Sequence, residues 1–509
     1  MRNRLAHAGP AMAVGVLATL VGVAAGHLVA GLTEPAASPV LVVGSTVIDL
    51  TPTPLKEWAI AQFGTRDKPV LVGSVLLGVL ALAAVAGLLA RRRFAYGAAL
   101  LLALVAIPAG AALTRPGAAT TDVLPSVVAA VTGLASLAWL TRARAAAGSS
   151  PVGGGGPSRR GVLVAAGALG VAAAAMGGAG RWVAAYRSRT TVVDLPAAAD
   201  PAPPFPTGLD QRVPGISGFR TPTDDFYRVD TRLTLPIVDL DGWTLTIDGD
   251  VEREVTLTFD DLLAMPLVER DITLTCVSNE VGGTYVGAAR WLGVRLTDLL
   301  DLAGIDGTRA DQLLSTDVDG MTISTPLALA TDGRDAMIAV GMNGTSLTRE
   351  HGFPARMVVP GLYGFVSACK WITRITLTTY ADQEAYWTRR DWATDAPIKI
   401  SSRIDTPRPL ATVDAGRTVI GGVAWAQHQG GIERVEVRVD GGPWQQARLG
   451  PSAGNDYWRQ WYLPWTAEPG RHSLAVRATD GEGDVQTAVR ATPFPEGSSG
   501  IQEIVVNVA

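Results

Sequence analysis

The chain has 509 residues and a formal net charge of −4 at neutral pH, so its charge gives no argument for binding nucleic acid. Its two cysteines, Cys276 and Cys369, exclude a framework of disulfides and form no CxxC or CxxCH motif. A chain of this length is expected to form roughly two to four domains. The composition changes sharply, since residues 1–180 are dominated by Ala, Val, Leu and Gly, whereas residues 181–509 have the mixed composition of a water-soluble protein.

Five apolar segments in the first part of the chain approach the roughly 20 residues that a helix needs to cross a bilayer. We place them near 11–31, 70–90, 95–114, 124–141 and 161–180. Basic residues cluster at the N-terminus, after the second segment and before the fifth. Because cytoplasmic loops are enriched in Lys and Arg, the N-terminus is predicted to be cytoplasmic. With an odd number of spans, residues 181–509 then lie on the extracytoplasmic side.

Two arginines open the fifth segment, in the sequence SRRGVL (158–163). This stretch resembles the twin-arginine export signal, which directs folded proteins, often with a cofactor, across a membrane. The alternative is that Arg159 and Arg160 only anchor the end of a helix. The region that follows, 181–221, is rich in Pro and Ala and is predicted to be an extended linker.

Residues 222–395 are predicted to form an α+β domain with mixed or antiparallel strands. The segment WTLTIDGDV (243–251) alternates polar and apolar residues and ends in an Asp-Gly turn, as a hairpin strand does. Two short helices are expected, with Thr258 and Thr297 as N-caps and Gly304 as the C-terminal stop of the second.

The stretch DITLTCVSNEVGG (271–283) is predicted to be a half-buried strand that ends in a polar loop. The alternation places Ile272, Leu274 and Cys276 on the buried face. From the pattern alone, Cys276 is either a small buried core residue or a thiol that acts as a metal ligand or nucleophile. A disulfide to Cys369 is a third alternative, since an oxidising compartment permits it.

Residues 396–509 are predicted to form an all-β sandwich of the immunoglobulin type. The segment GIERVEVRVDGGPW (431–444) alternates valines with charged residues and closes in an Asp-Gly-Gly turn. The segment HSLAVRATDGEGD (472–484) repeats this form.

Four motifs in residues 222–509 resemble the sulfite oxidase family of molybdenum enzymes, in the right order and across both domains. They are TLTCVSN (273–279), STDVDGMTISTPL (315–327), HGFPARMVVPGLYGFVSACKWI (351–372) and GGVAWAQHQGGIERVEVRVDGGPW (421–444). The resemblance implies a sulfite-oxidase-type molybdopterin-binding domain followed by an immunoglobulin-like β-sandwich, preceded by about five transmembrane helices. It also implies a molybdenum-molybdopterin cofactor and a homodimer formed through the C-terminal domain.

Several residues of this chain match cofactor-binding positions of the family. Cys276 matches the cysteine that ligates molybdenum, and a soft thiolate suits a transition metal better than oxygen ligands do. His351 and Arg356 match residues that hold the pterin and its phosphate, with Lys370 as a further positive charge. The alternatives are a surface histidine, an arginine paired with a nearby carboxylate and a solvated lysine. The remaining implied cofactor positions are polar, and they are Tyr227, Asp230, Asn279, Asp317 and Ser324.

The chain departs from the family pattern at three places. Glu280 lies where sulfite oxidases have an arginine, and a carboxylate there repels an oxyanion substrate. Asp230 lies in the segment where the family has an Arg-Asn-His run. The active-site tyrosine is displaced to Tyr386, directly before Trp387. Sulfite is therefore not specified as the substrate, and Glu280 and Tyr386 join Cys276 as candidate catalytic residues.

Together these observations predict a membrane-anchored, extracytoplasmic molybdenum-cofactor oxidoreductase that catalyses two-electron oxygen-atom transfer on a small substrate. Since no haem domain precedes the catalytic domain, the electrons are expected to pass to a separate redox partner, a cytochrome or a quinone-linked protein. The alternative is a non-catalytic binding or sensing protein that retains the fold. A serine hydrolase and a nicotinamide enzyme are disfavoured, because the sequence has no Gly-x-Ser-x-Gly motif and no apolar strand that leads into GxGxxG.

Overall fold

The computed structural model describes residues 8–52, 67–115, 118–149, 159–188 and 192–509, together with Leu55, Trp58, Gln62 and Phe63. The chain divides into two compact units. The first comprises Met1–Thr190 with Asp230–Ile237, and the second comprises Thr191–Val229 with Val238–Ala509.

The first unit is built from apolar helices. They are α1 (Ala8–Leu32), α2 (Pro39–Leu50), α3 (Asp67–Arg92), α4 (Phe94–Leu113), α5 (Leu124–Ser149) and α6 (Arg159–Arg187). Among the described residues, five helices are long and apolar enough to cross a membrane, all except the short α2, and this confirms the predicted number. Helix α6 extends beyond its predicted end, and the Arg187 guanidinium donates to the Gly31 and Thr33 carbonyls at 3.0 and 2.8 Å.

Helix α1 contacts α3, α5 and α6, and glycines set its distance from them. A Cβ atom at Gly22 would lie 2.6 Å from the Ala129 carbonyl oxygen of α5. A Cβ atom at Gly31 would lie 2.8 Å from the Gly180 carbonyl oxygen of α6. Because apolar surface alone does not drive helices together in lipid, small residues that permit close packing take this role.

We expect Gly22→Leu to destabilise the helical unit by about 1–3 kcal/mol, because the added side chain overpacks the contact between α1 and α5. Gly73→Leu is the matched control, since a Cβ atom at Gly73 of α3 has no neighbour within 4 Å. Thermal unfolding of the full chain in detergent micelles measures both variants. Equal unfolding temperatures would show that the glycine contact is not required.

The second unit begins with a domain built on two sheets. Its strands are β1 (Thr244–Gly249), β2 (Val255–Thr258), β3 (Leu267–Thr275), β4 (Val286–Arg295), β5 (Gln312–Asp317), β6 (Thr322–Pro326), β7 (Met337–Met342), β8 (Thr345–Ser346), β9 (Arg356–Val358) and β10 (Ile372–Thr378). One sheet has the order β2-β1-β10-β5-β6, in which β1 and β10 are parallel. The other has the order β3-β4-β7-β8, with β9 against β7. Side chains of both sheets, among them Leu245, Leu313 and Ile338, share one apolar core, and the mixed pairing confirms the α+β class.

Short helices connect these strands, and they are α7 (Phe259–Ala264), α8 (Leu296–Ala303), α9 (Leu327–Ala330) and α10 (Gly364–Ser367). Thr258 caps α7 as predicted, because its hydroxyl accepts the Asp261 N–H at 3.2 Å. The prediction that Thr297 caps α8 is wrong, because β4 leads directly into the helix and Arg295 occupies the cap position. The end of α8 at Gly304, with a φ of 73°, agrees with the prediction.

The C-terminal part of β3, residues 272–275, is buried on both faces, so the prediction of a half-buried strand is wrong there. Thr273 and Thr275, on the face with the polar pattern, are 0% and 2% exposed. The C-terminal domain covers this face and satisfies its polar groups. The backbone N–H of Trp458 donates to the Thr273 hydroxyl at 2.8 Å, and the side-chain amide of Gln427 donates to the Thr273 carbonyl at 2.9 Å. The strand is therefore fixed from both sides directly before Cys276.

The rest of the second unit is a β-sandwich, as predicted. Its strands are β11 (Ser401–Thr406), β12 (Thr412–Val413), β13 (Gly416–Trp425), β14 (Ile432–Val439), β15 (Gln445–Gln446), β16 (Arg448–Leu449), β17 (Arg459–Ala467), β18 (Gly470–Asp480) and β19 (Gln502–Val508). The two sheets have the orders β11-β13-β17-β16 and β12-β19-β18-β14-β15. Val435 and Val437 of β14 pack in the sandwich core with Trp461 and Leu474, whereas Val439 is half-buried at the strand end.

Candidate functional site

Cys276 lies immediately after β3, at the start of the loop that returns to β4. Its N–H donates to the Tyr285 carbonyl at 2.9 Å, and its Sγ accepts the Ser278 N–H at 3.4 Å. Only 8% of the residue is exposed. Neither cysteine forms a disulfide, so the alternative of a bridge between Cys276 and Cys369 is excluded.

The surroundings of Cys276 suit a metal ligand better than a free nucleophile. Burial raises the pKa of the thiol, and the Ser278 N–H and the charge of Lys370 oppose this shift. Without a metal, the thiol is therefore protonated at neutral pH and unreactive. A bound metal ion reverses this, because a coordinating thiol loses its proton outright.

The loop between β3 and β4 is closed by Asn279. Its N–H donates to the Cys276 carbonyl at 3.0 Å, and its side-chain oxygen accepts the Tyr285 N–H at 2.8 Å. Asn279 is buried, whereas the neighbouring Glu280 is exposed to solvent. The side-chain oxygen of Asn279 thus supports the loop that presents the thiol, which sequence reasoning did not show.

A second segment of the site runs from His351 to Lys370. His351 is buried, its Nε2 lies 2.9 Å from the Thr223 carbonyl oxygen, and its ring packs edge-on against Phe226 with centroids 5.5 Å apart. Burial lowers the pKa of His351 to about 4, and the charges of Arg356 and Lys370 add to this shift. His351 is therefore a neutral donor to Thr223 with Nδ1 left as an acceptor, and it is not a surface histidine.

Arg356 is a buried cation at the start of β9, with 5% of the residue exposed. Its Nη1 donates to the His351 carbonyl at 3.2 Å, and its guanidinium lies 5.0 Å from the centroid of the Trp291 ring. Within the part of the chain that the structure describes, its Nε has no hydrogen-bond partner and no carboxylate pairs with it. Burial lowers the pKa of Arg356 to about 10, which leaves it charged at neutral pH. Because a buried charge without a counter-ion is costly, this position is suited to an incoming anion.

Lys370 and Tyr227 complete this cluster. Lys370 forms an isolated β-bridge with Arg356, and its Nζ donates to the carbonyl of the residue before His351 at 3.2 Å. Its positive charge acts on both Cys276 and His351. Burial raises the pKa of Tyr227, the negative charge of an ionised Cys276 adds to the shift, and Arg356 opposes it. Tyr227 therefore lies near both the thiol and the guanidinium.

Of three other predicted cofactor positions, two have local partners of their own. Asp230 belongs to the first unit, where its Oδ1 lies 3.1 Å from Lys68 Nζ. Asp317, at the end of β5, accepts two backbone N–H groups of the turn that follows. Ser324 lies on β6, and within the described residues its buried hydroxyl has no hydrogen-bond partner. Their roles toward a cofactor remain predictions.

Tyr386 is the tyrosine that the sequence predicts for the active site, and Tyr363 is not among the predicted residues. Burial raises the pKa of Tyr363 to about 12, and the nearby Cys276 adds to this shift. Tyr386 packs against the Arg390 guanidinium, which lies 3.6 Å from its ring centroid. The signal for Tyr363 was present in the sequence, because it lies inside the motif at 351–372.

The cluster fits a metal that arrives with an organic cofactor. Within the described ranges, no group of three or more His, Cys, Asp and Glu side chains could hold a metal ion. A metal bound to Cys276 must therefore bring further ligands with it. The unpaired guanidinium of Arg356, together with His351 and Lys370, provides donors for an anionic, phosphate-bearing molecule.

We expect the stability of the cofactor-free protein to fall as His351 is protonated. The unfolded chain takes up this proton at a pKa of about 6.5 and the folded protein at about 4, so stability present above pH 6.5 is lost as the pH falls towards 4. A pKa difference of this size corresponds to a loss of up to about 3 kcal/mol. His351→Gln keeps a donor for the Thr223 carbonyl and should remove this contribution. Thermal unfolding between pH 4 and pH 7 tests it, and an identical pH profile in the variant would contradict it.

Comparisons with known proteins agree with this geometry. Residues 232–387 match the family model described as oxidoreductase molybdopterin binding domain. Sulfite oxidase, mitochondrial, from Homo sapiens is 32% identical over 315 residues, which cover 52% of this chain and 57% of that protein. Nitrate reductase (NADH) 1 from Oryza sativa subsp. japonica is 29% identical over 330 residues, with 52% and 35% covered. The crystal structure of the sulfane dehydrogenase SoxCD from Paracoccus pantotrophus is similar with a TM-score of 0.51 and 26% identity, and covers 58% of this chain and 84% of that one.

The similarity to these relatives covers only part of their length. The chain spans 57% of the length of the mouse, rat and human sulfite oxidases. The matched range of the family model contains Cys276, His351, Arg356 and Lys370. The predicted molybdopterin-binding domain and its cofactor, molybdenum-molybdopterin, are thereby confirmed.

Proposed function

We propose that this protein, which carries an oxidoreductase molybdopterin-binding domain of the sulfite oxidase type, transfers an oxygen atom to or from a small substrate in a two-electron reaction. The observation that carries the proposal is the presence, in one cluster, of a free buried thiol at Cys276 and a buried guanidinium without a counter-ion at Arg356. A thiolate ligand and a site for an anion are the two features that a metal held by an anionic organic cofactor requires of a protein.

Each residue of the cluster has a distinct role in this proposal. When bound, the cofactor supplies the redox chemistry of oxygen-atom transfer. Cys276 would be the protein ligand to molybdenum, since a coordinating thiol loses its proton. Arg356 would donate through its planar guanidinium to an anionic group of the cofactor, and Lys370 would add a point charge. His351 offers a hydrogen-bond acceptor without further positive charge, and Tyr227 keeps its proton because burial raises its pKa.

The cellular placement and the partners are part of the proposal. Five long apolar helices support attachment to a membrane by several spans. The basic loops of the sequence support an extracytoplasmic position for residues 181–509. The two electrons of each turnover would pass to a separate cytochrome or quinone-linked protein, and the sandwich would form a homodimer.

Cys276→Ser should lower turnover by more than about 100-fold, which exceeds the effect of losing a residue that only supports a metal ligand. The fold should persist, since serine is close in size to cysteine. Cys369→Ser is the matched control, because Cys369 is also buried and forms no disulfide. Molybdenum content and turnover are measured after expression in a host that makes the cofactor. Full activity in Cys276→Ser would instead favour a binding or sensing protein that retains the fold.

The role proposed for Glu280 concerns substrate choice. Its carboxylate lies on the loop of Cys276 and is exposed, so it should disfavour anionic substrates that approach this loop. Tyr386 is a second catalytic candidate. We expect neutral sulfoxides and N-oxides to be converted faster than sulfite, in assays with an artificial electron donor or acceptor. Glu280→Gln should raise the rate with sulfite selectively. Faster turnover of sulfite by the unmodified protein would refute this role.

A further inference from the structure

The loop that presents Cys276 is held by the β-sandwich as well as by its own hydrogen bonds. The Ser498 hydroxyl, from the segment before β19, donates to the Asn279 carbonyl at 2.5 Å, and both residues are buried. Asn279 in turn donates its N–H to the Cys276 carbonyl and accepts the Tyr285 N–H. One hydroxyl–carbonyl contact therefore connects the sandwich to the residue that closes the loop.

Two further sandwich residues contact the other end of this loop. Arg403 of β11 donates from Nη1 to the Gly283 carbonyl at 2.8 Å, and its Nε donates to Asp405 at 2.6 Å. Gly282, with a φ of 81°, packs so closely against the Gln502 amide that a Cβ atom would collide with it. The loop is thus held to the sandwich at both of its ends.

We infer that Ser498 is a positioning residue that fixes the Cys276 thiol through Asn279, so that the second domain takes part in presenting the metal ligand. The inference rests on the proposed function, which assigns Cys276 to molybdenum. Removal of the Ser498 hydroxyl leaves the buried Asn279 carbonyl without this partner, and a buried unsatisfied acceptor favours opening of the loop to water. A sandwich that serves only as a dimerisation module would leave the thiol unaffected.

Ser498→Ala and Ser499→Ala form a matched pair for the test. The Ser499 hydroxyl donates to the Val489 carbonyl at 2.8 Å in an exposed segment, so its loss removes the same kind of bond away from the loop. In the cofactor-free protein, we expect iodoacetamide to alkylate Cys276 about tenfold faster in Ser498→Ala, since one lost hydrogen bond makes opening more frequent by about that factor. The rate in Ser499→Ala should equal that of the unmodified protein. Peptide mass spectrometry distinguishes alkylation of Cys276 from alkylation of Cys369. Alkylation of Cys369 reports global opening of the protein.

The inference is supported only by an increase that is confined to Cys276. Equal increases at both cysteines, or no increase in Ser498→Ala, would overturn it. In the molybdenum-loaded protein, the Mo(V) electron paramagnetic resonance signal should shift in Ser498→Ala and stay unchanged in Ser499→Ala, and an unchanged signal in both would also contradict it. Failure of the proposed function is seen separately, as an unmodified protein that lacks molybdenum or a Cys276→Ser variant that keeps full turnover.

Discussion

The candidate site depends on the buried positive charge of Arg356, for which the described residues provide no counter-ion. Arg356 lies over the Trp291 ring, and its only side-chain hydrogen bond that the structure gives goes to a backbone carbonyl. An unpaired buried ion costs several kcal/mol, so this arrangement is favourable only once an anion binds. Burial is the main reason why the adjacent His351 is neutral, and the charge of Arg356 adds to it, because a second positive charge would increase the cost. Cys276, protonated when free, gains a negative charge only when a metal binds.

Rigid presentation of the thiol comes from the position of β3 between two domains. On one face the strand packs in the α+β domain, and on the other the sandwich satisfies the polar groups of Thr273. Ser498 and Arg403 continue this contact along the loop that follows. A metal ligand needs a fixed sulfur position, and supporting contacts from a separate domain provide it. The two domains of the second unit therefore act together, although their sequences have distinct patterns.

The sequence predicted much of the site because the relevant residues are close along the chain. His351 and Arg356 fall in one motif, where a turn and a short strand bring them together. The burial of the second face of β3 could not be predicted, because its threonines have the pattern of an exposed face. The residues that cover it, Gln427 and Trp458, lie 154 and 185 positions further along the chain. Tyr363 lies inside the motif at 351–372, but its proximity to Cys276 follows from tertiary packing and not from spacing, so the sequence alone does not single it out.

The central claim is that the sulfur of Cys276 binds molybdenum. X-ray absorption at the molybdenum K-edge counts the sulfur atoms around the metal in the loaded protein. Our account predicts one Mo–S interaction fewer in Cys276→Ser than in the unmodified protein, and an unchanged number in Cys369→Ser. The same number of sulfur ligands in Cys276→Ser and in the unmodified protein would contradict it.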